Sequence, residues 1–243
     1  MLQLTKREKK LIKKKYKVFI ACDTTNLSQV KKIIQQSKNS KINIGYKFGL
    51  EFFNSRQGRN FISKLPNNIT IWLDLKLLDI PNTVSSAINS LKDLTNTRYL
   101  TIHASGGYEM MMTAKKAATK TNKKLKVLAV TVLTSFSEQQ IKQTGHTKAI
   151  KNIVIQQANL AKKAKIDGIV CSGHEAKFIK KICTGMEIIT PGIRLEGDSK
   201  QDQKRVMTPK LAFQNGATGI VIGRSITKGN IKNNIQKLIS SLQ

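Results

Sequence analysis

The sequence contains few cysteines, few aromatic residues, few acidic residues and no long apolar run. Cys22, Cys171 and Cys183 are the only cysteines, and they form no C-x-x-C pair and no metal-ligand spacing with the three histidines. The longest largely apolar run, Val127 to Leu133, is far shorter than the ~20 residues that span a bilayer. We therefore expect buried thiols, no resident metal, no membrane span, no secretory signal and a cytoplasmic protein.

The charge is strongly one-sided, with 43 lysines and arginines against 14 acidic residues and a formal net charge of +29. This balance would suit a nucleic-acid-binding protein. However, 36 of the basic residues are lysines, spread along most of the chain apart from the run Lys6 to Lys17, and only seven are arginines. Aromatic residues make up 5% and form no stacking stripe. The pattern favours a solvated basic surface that attracts an anionic substrate, without specific nucleic-acid binding.

Short apolar runs alternate with helical stretches along the whole chain, which predicts a parallel sheet covered by helices. The eight predicted strands are Lys17–Asp23, Ile42–Lys47, Ile69–Lys76, Tyr99–His103, Leu125–Leu133, Asp167–Cys171, Glu187–Thr190 and Thr218–Ile222. Eight units fit a (β/α)₈ TIM barrel of one domain, residues 16–243, after a basic N-terminal extension, residues 1–15. A doubly wound open sheet is the alternative, but no G-x-G-x-x-G follows the first strand.

Polar side chains stand at nearly every predicted strand end, where a barrel enzyme carries its chemistry. They are Asp23, Lys47, Asp74, Lys76, His103, Thr134, Ser135, Ser172, Arg194 and Arg224. A barrel without catalytic function could use some of them, such as Ser172 and Thr134, as caps and turn residues. We expect the three histidines to have no catalytic role.

The third strand is the most informative, because it carries the motif D-x-K-x-x-D. Alternation with period two puts Trp72, Asp74 and Lys76 on one face, which predicts that Asp74 and Lys76 enter the barrel mouth together. Since an isolated buried charge is very unfavourable, these two residues should form an ion pair. Asp79 follows on the loop.

The last two units suggest a phosphate site, which barrels often build from the loops after strands seven and eight. Pro191-Gly-Ile-Arg194 follows strand seven and Gly223-Arg224-Ser225 follows strand eight. Gly223 allows close approach of an anion, and Arg224 can supply a charge-assisted fork. The polar stretch Leu195 to Gln203 between them is a candidate lid.

These segments together resemble the orotidine 5′-phosphate decarboxylase family. The resemblance is carried by Asp74-Leu-Lys-Leu-Leu-Asp-Ile-Pro-Asn-Thr83 and by further segments in the family's order: Ala21–Asp23, Tyr46–Glu51, His103–Gly107, Val130–Ser135, Thr190–Arg194, Asp202-Gln203 and Val221–Arg224. It covers about residues 17 to 227, nearly the whole chain. The continuation Ile80-Pro-Asn-Thr83 separates it from sugar-phosphate enzymes that share D-x-K-x-x-D.

The resemblance implies decarboxylation of orotidine monophosphate to uridine monophosphate, the last step of de novo UMP synthesis, with no cofactor. The family's catalytic tetrad corresponds to Lys47, Asp74, Lys76 and Asp79, with Lys76 protonating carbon 6 of the pyrimidine. The substrate-binding residues implied are Asp23, Lys47, Thr83, Thr134, Arg194, Gln203, Gly223 and Arg224. The resemblance also implies a homodimer in which Asp79 and Thr83 act in the neighbouring subunit's site.

Two other functions remain open from the sequence. A metal-dependent relative acting on a keto-sugar phosphate would need a divalent cation, for which Asp23, Asp74 and Asp79 are the plausible oxygen ligands. A basic nucleic-acid-binding protein would bind random DNA with a steep salt dependence.

Overall fold

Eight parallel strands pair in chain order and close into a barrel, with β1 paired to both β2 and β8. The strands are β1 Lys17–Ala21, β2 Asn43–Gly49, β3 Thr70–Leu77, β4 Thr97–His103, β5 Lys126–Val130, β6 Gly168–Val170, β7 Glu187–Ile193 and β8 Gly219–Ile222. The structure is a computed structural model and describes residues 16–198 and 206–242. The predicted (β/α)₈ fold is confirmed.

Helices connect the strands and cover the outside of the barrel. They are α1 Leu27–Ser37, α2 Leu50–Phe53, α3 Gly58–Ser63, α4 Pro81–Asn89, α5 Gly107–Thr121, α6 Glu138–Gln143, α7 Ile150–Lys163, α8 Ala176–Ile182, α9 Pro209–Gln214, α10 Arg224–Thr227 and α11 Ile231–Ser241. At least two of them begin with residues that commonly start a helix. The Asn26 side chain accepts a hydrogen bond from the Gln29 amide, and Pro81 starts α4.

The sequence pattern predicts one continuous helix from Leu50 to Leu65, and this prediction is wrong because the chain forms two separate helices there, α2 and α3. The Ser55 hydroxyl donates to the Phe52 carbonyl and so competes with helical bonding. The chain then turns so tightly that a Cβ at Gly58 would lie 1.7 Å from that carbonyl oxygen. The break therefore depends on the missing side chain of Gly58.

The sheet separates two apolar cores. The larger one lies between the strands and the helices. The smaller one fills the barrel interior and consists of Phe19, Ala21, Trp72, Tyr99, Leu128, Val130, Val170, Ile189 and Val221. Within it the Phe19 ring contacts Trp72 and Tyr99 edge to face, at centroid distances of 4.9 and 5.2 Å. These rings form a solid floor below the carboxyl end of the barrel.

A charged cluster lies below that floor, at the amino-terminal end of the barrel. The Glu187 carboxylate accepts from Lys17 at 2.7 Å, from the Tyr99 hydroxyl at 3.1 Å and from Lys126. These bonds join β1, β4, β5 and β7. Bonded side chains thus join the strands at the amino-terminal end, beside a cavity of about 300 Å³, whereas a larger cavity opens at the carboxyl end.

Three features expected from the sequence concern the chain as a whole. All three cysteines are free and buried, as expected. Over residues 16–198 and 206–242, no helix combines the length and apolar character needed to cross a membrane. The predicted basic extension, residues 1–15, lies outside the described residues.

Candidate active site

A cavity of about 520 Å³ opens at the carboxyl ends of the strands. Eight of the residues expected at the site line it: Asp23, Lys47, Asp74, Lys76, Thr134, Arg194, Gly223 and Arg224. Its floor contains Trp72 and, in addition, apolar side chains that the sequence motifs do not assign to the site, including Val130, Val170 and Val221. Their alternate positions on the strands are the signal that could have found them. The cavity combines a polar rim with an apolar floor.

A buried carboxylate between two ammonium groups is the central polar feature of the cavity. Asp74 Oδ2 lies 2.8 Å from Lys76 Nζ and 3.1 Å from Lys47 Nζ. Lys47 Nζ also donates to Asp23 Oδ1 at 3.1 Å. The predicted ion pair of Asp74 with Lys76 is therefore present. The four side chains alternate in sign, Asp23, Lys47, Asp74 and Lys76, and carry no net charge when all are ionised.

The environment holds Asp74 and Lys47 in their charged forms. Burial alone would raise the pKa of Asp74, but the charges and hydrogen bonds of Lys47 and Lys76 lower it to about 2. Burial would likewise lower the pKa of Lys47, yet Asp74 and Asp23 hold it above its usual value. Only about a tenth of each side chain is exposed, so solvent screens this pair little. Asp74 is therefore a permanent anion at neutral pH.

Two arginines approach each other on the opposite side of the barrel, at the ends of β7 and β8. Arg194 is buried, its Nη1 donates to its neighbour's carbonyl, and its Nε has no hydrogen-bond partner. Burial and the charge of Arg224 lower the pKa of Arg194, opposed by Asp198. Gly223 also lines this side, and a Cβ there would meet only Ala21, at 3.6 Å. Two positively charged guanidinium groups that line the same side of the cavity suit an anion.

Asp79 and Thr83 are not brought into the cavity of their own chain. Both are exposed, and Asp79 Oδ1 accepts a hydrogen bond from the Ile80 amide. The flanking side chains Leu78 and Ile80 are apolar and 55% and 66% exposed. The expected phosphate ligand Gln203 and part of the expected lid lie outside the described residues.

The keto-sugar phosphate alternative needs a cation and therefore a set of metal ligands near the cavity. In the described part of the chain, no three or more histidine, cysteine, aspartate or glutamate side chains are grouped so that they could hold a metal ion. Asp23 and Asp74 share the cavity, but each already contacts lysine.

Comparison with known proteins gives one consistent family. A model of the "Orotidine 5'-phosphate decarboxylase / HUMPS family" matches residues 16–236. An orotidine 5′-phosphate decarboxylase of Sphingopyxis alaskensis is 40% identical over 88% of this chain and 92% of that protein. One of Wolbachia sp. subsp. Brugia malayi is 41% identical over 91% and 96%. A crystal structure of the Lactobacillus acidophilus orotidine 5′-phosphate decarboxylase superposes with a TM-score of 0.80 at 31% identity, covering 94% of this chain and 99% of that one.

The charge array predicts how Asp74 responds to loss of a neighbour. Replacing Lys47 by methionine removes an ammonium group 3.1 Å from Asp74 while burial remains, so the pKa of Asp74 should rise from about 2. Because the pKa of Asp74 is lower in the folded than in the unfolded chain, its ionised carboxylate stabilises the fold at pH values above the unfolded pKa of ~3.9. This contribution is lost as the pH falls through the folded pKa. In Lys47→Met the unfolded pKa is unchanged and the folded pKa is higher, so the loss should be smaller in total and should be complete at a higher pH.

The measurement is a pH titration of the Asp74 side-chain carbon by NMR. Lys115→Met is the matched control, because Lys115 pairs with Asp167 at 2.7 Å and does not line the cavity. An Asp74 pKa that is the same in Lys47→Met and in the control would contradict the electrostatic coupling.

Proposed function

The chain belongs to the orotidine 5′-phosphate decarboxylase / HUMPS family, and we propose that it converts orotidine 5′-monophosphate (OMP) to uridine 5′-monophosphate (UMP) and carbon dioxide with its own side chains and no cofactor. The observation that carries the proposal is the combination, in one cavity, of an ionised carboxylate between two ammonium groups and a pair of guanidinium groups across the barrel. The first suits the reacting carbon and the second suits the phosphate.

The chemical requirement is stabilisation of an electron pair. When the bond between carbon 6 and the carboxylate breaks, carbon dioxide leaves and the pair stays on carbon 6. A fixed positive group close to that carbon stabilises the developing charge without reorganising. Lys76 Nζ is the group proposed here, and it then donates its proton to carbon 6. About a third of its side chain is exposed to the cavity mouth, so it is accessible to a bound substrate.

Asp74 and Lys47 are proposed to prepare Lys76 for this step. Asp74 is anionic and lies 2.8 Å from Lys76 Nζ, so this ion pair fixes the position of the ammonium group. In the proposal the departing carboxylate lies next to Asp74, and the repulsion between the two anions is relieved when carbon dioxide leaves. Lys47 balances the charge of Asp74 and Asp23.

The remaining cavity residues are proposed to hold the rest of the nucleotide. Asp23 and Lys47 bind the ribose hydroxyls, and Thr134 contacts the pyrimidine. The phosphate is bound by the residues at the ends of the last two strands, Arg194, Gln203, Gly223 and Arg224. Because the phosphate is remote from the breaking bond, its binding energy can organise the site and so favour the transition state.

A homodimer is part of the proposal, with Asp79 and Thr83 acting in the partner's cavity. Support comes from their position, since both side chains are exposed in one chain and absent from its own cavity lining. Leu78 and Ile80, on either side of Asp79, are among the most exposed large apolar residues of the described chain. Exposed apolar side chains beside a functional polar residue are typical of an interface.

Lys76→Ala should abolish decarboxylation. Loss of both the proton donor and the nearest positive charge should lower kcat by at least about 10³-fold. The assay follows the ultraviolet absorbance of OMP in buffer containing EDTA. Lys123→Ala, on an exposed turn at the amino-terminal end of the barrel, is the control and should match the wild type. Near-normal turnover by Lys76→Ala would remove it as proton donor, and loss of wild-type turnover in EDTA would favour the metal-dependent alternative.

Arg224→Ala should mainly weaken substrate binding, because it deletes one guanidinium contact to the phosphate. We expect KM for OMP to rise about 10- to 100-fold, as for loss of a charged hydrogen bond. Turnover of orotidine, which lacks the phosphate, should be the same in Arg224→Ala and wild type. Arg98→Ala, at the opposite end of the barrel, is the control. An unchanged KM for OMP would exclude Arg224 from the phosphate site.

Mixing two inactive variants tests whether Asp79 acts across subunits. Dimers reassembled from equal amounts of Lys76→Ala and Asp79→Ala should recover up to about one quarter of wild-type activity, because half the dimers are mixed and each carries one intact site. Lys76→Ala mixed with Lys47→Ala is the control and should recover nothing, since both residues line the same chain's cavity. No recovery in the first mixture would show that Asp79 acts within its own chain.

A further inference from the structure

Strand β3 leaves its ladder with β4 at the catalytic motif. Leu73 pairs with Leu100 and Leu77 pairs with Ile102, so three residues of β3, Asp74 to Lys76, stand opposite Thr101 alone. Lys76 has a φ of +48°, a conformation that L-residues other than glycine adopt rarely. A bulge of this kind redirects a side chain and removes the regular ladder acceptor from the local amide.

The side chain of Thr101 replaces the missing ladder partner. Its hydroxyl accepts a hydrogen bond from the Lys76 amide at 3.0 Å and donates one to Asp74 Oδ1 at 2.9 Å. Thr101 is fully buried on β4 and does not line the cavity. One hydroxyl therefore joins the strained backbone of Lys76 to the carboxylate of Asp74.

The two carboxylate oxygens of Asp74 consequently have different partners. Oδ2 faces both ammonium groups, at 2.8 Å from Lys76 and 3.1 Å from Lys47, whereas Oδ1 is bound by Thr101. Without the donor at Oδ1, the carboxylate could rotate about its χ2 torsion, which is broad for aspartate. Without the acceptor, the partly buried Lys76 amide would lose the hydrogen-bond partner that it has in the described structure.

We propose that Thr101 is a positioning residue for decarboxylation, which fixes Asp74 and Lys76 relative to each other without touching the substrate. This inference rests on the proposed function, in which Lys76 protonates carbon 6 next to Asp74. The placement of a catalytic group matters steeply, since a shift of ~1 Å can change a rate by on the order of 10²-fold. The hydroxyl of Thr101, which is buried on β4 outside the cavity lining, controls that placement through its two hydrogen bonds.

The test compares Thr101→Val, Thr101→Ser and Thr97→Val. Valine keeps the branched shape and removes the hydroxyl, and serine keeps the hydroxyl. Thr97 is a matched control on the same strand, because it is equally buried and its hydroxyl has no hydrogen-bond partner. We expect Thr101→Val to lower kcat on the order of 10²-fold with a much smaller change in KM for OMP. Thr101→Ser should restore most of kcat, and Thr97→Val should match the wild type.

A second measurement does not depend on turnover. Hydrogen exchange at the Lys76 amide, followed by NMR, should be faster in Thr101→Val than in wild type and close to wild type in Thr101→Ser. Binding of UMP to each variant reports whether the cavity is otherwise intact.

The possible failures are distinguishable. If the wild type does not decarboxylate OMP, the proposed function fails, and the role of Thr101 in it fails too. If the wild type is active but Thr101→Val keeps its kcat, or Thr101→Ser is as impaired as Thr101→Val, the positioning role alone is wrong. Equal losses in Thr97→Val and Thr101→Val would also overturn it, because any lost buried hydroxyl would then have the same effect.

Discussion

The burial of one negative charge governs the arrangement of the site. Asp74 is largely removed from water, and an unpaired carboxylate in that position would be strongly destabilising. Three adjacent strands stabilise this carboxylate: β2 and β3 supply the ammonium groups of Lys47 and Lys76, and β4 supplies the hydrogen-bond donor of Thr101. The parallel pairing of β2 with β3 and of β3 with β4, together with the bulge in β3, brings the three groups to one carboxylate. The strand order of the barrel therefore supplies the groups that keep Asp74 ionised.

The charge balance around Asp74 also makes the cavity suitable for an anionic ligand. The charges of Asp23, Lys47, Asp74 and Lys76 balance one another, and Arg194 and Arg224 add two positive groups to the cavity lining across the barrel. A nucleotide monophosphate would meet neutral, alternating charges at one end and two guanidinium groups at the other. The net charge of +29 adds a diffuse attraction for such a ligand without selecting one, since its lysines are spread over most of the chain. Selectivity must therefore come from the cavity.

Much of this arrangement could be predicted from the sequence, because barrel strands and their polar ends have a clear period. Alternation correctly predicted that Trp72 lies in the barrel interior and that Asp74 pairs with Lys76. It could not predict the bulge, because period-two alternation assumes a regular strand, whereas Lys76 reaches its position with a positive φ. For the same reason the sequence pattern does not indicate a role for Thr101, because that role depends on the Lys76 amide, which would have a backbone partner in a regular ladder. The break near Gly58 is a similar case, set by a tertiary contact.

The loop Leu78–Ile80 shows how the proposed dimer would complete such a site. Within one chain, Asp79 is solvated and bonds only to the next residue's amide among its described hydrogen bonds. Folding of the single chain therefore does not have to bury a third carboxylate near Asp23 and Asp74. In the proposed dimer that desolvation occurs on association, where burial of Leu78 and Ile80 provides an apolar driving force. The carboxylate would enter next to two ammonium groups already fixed in place. Dimer assembly, and not folding of the single chain, would then add the negative charge of Asp79 to the array. A separated chain would therefore have a folded site that lacks this carboxylate.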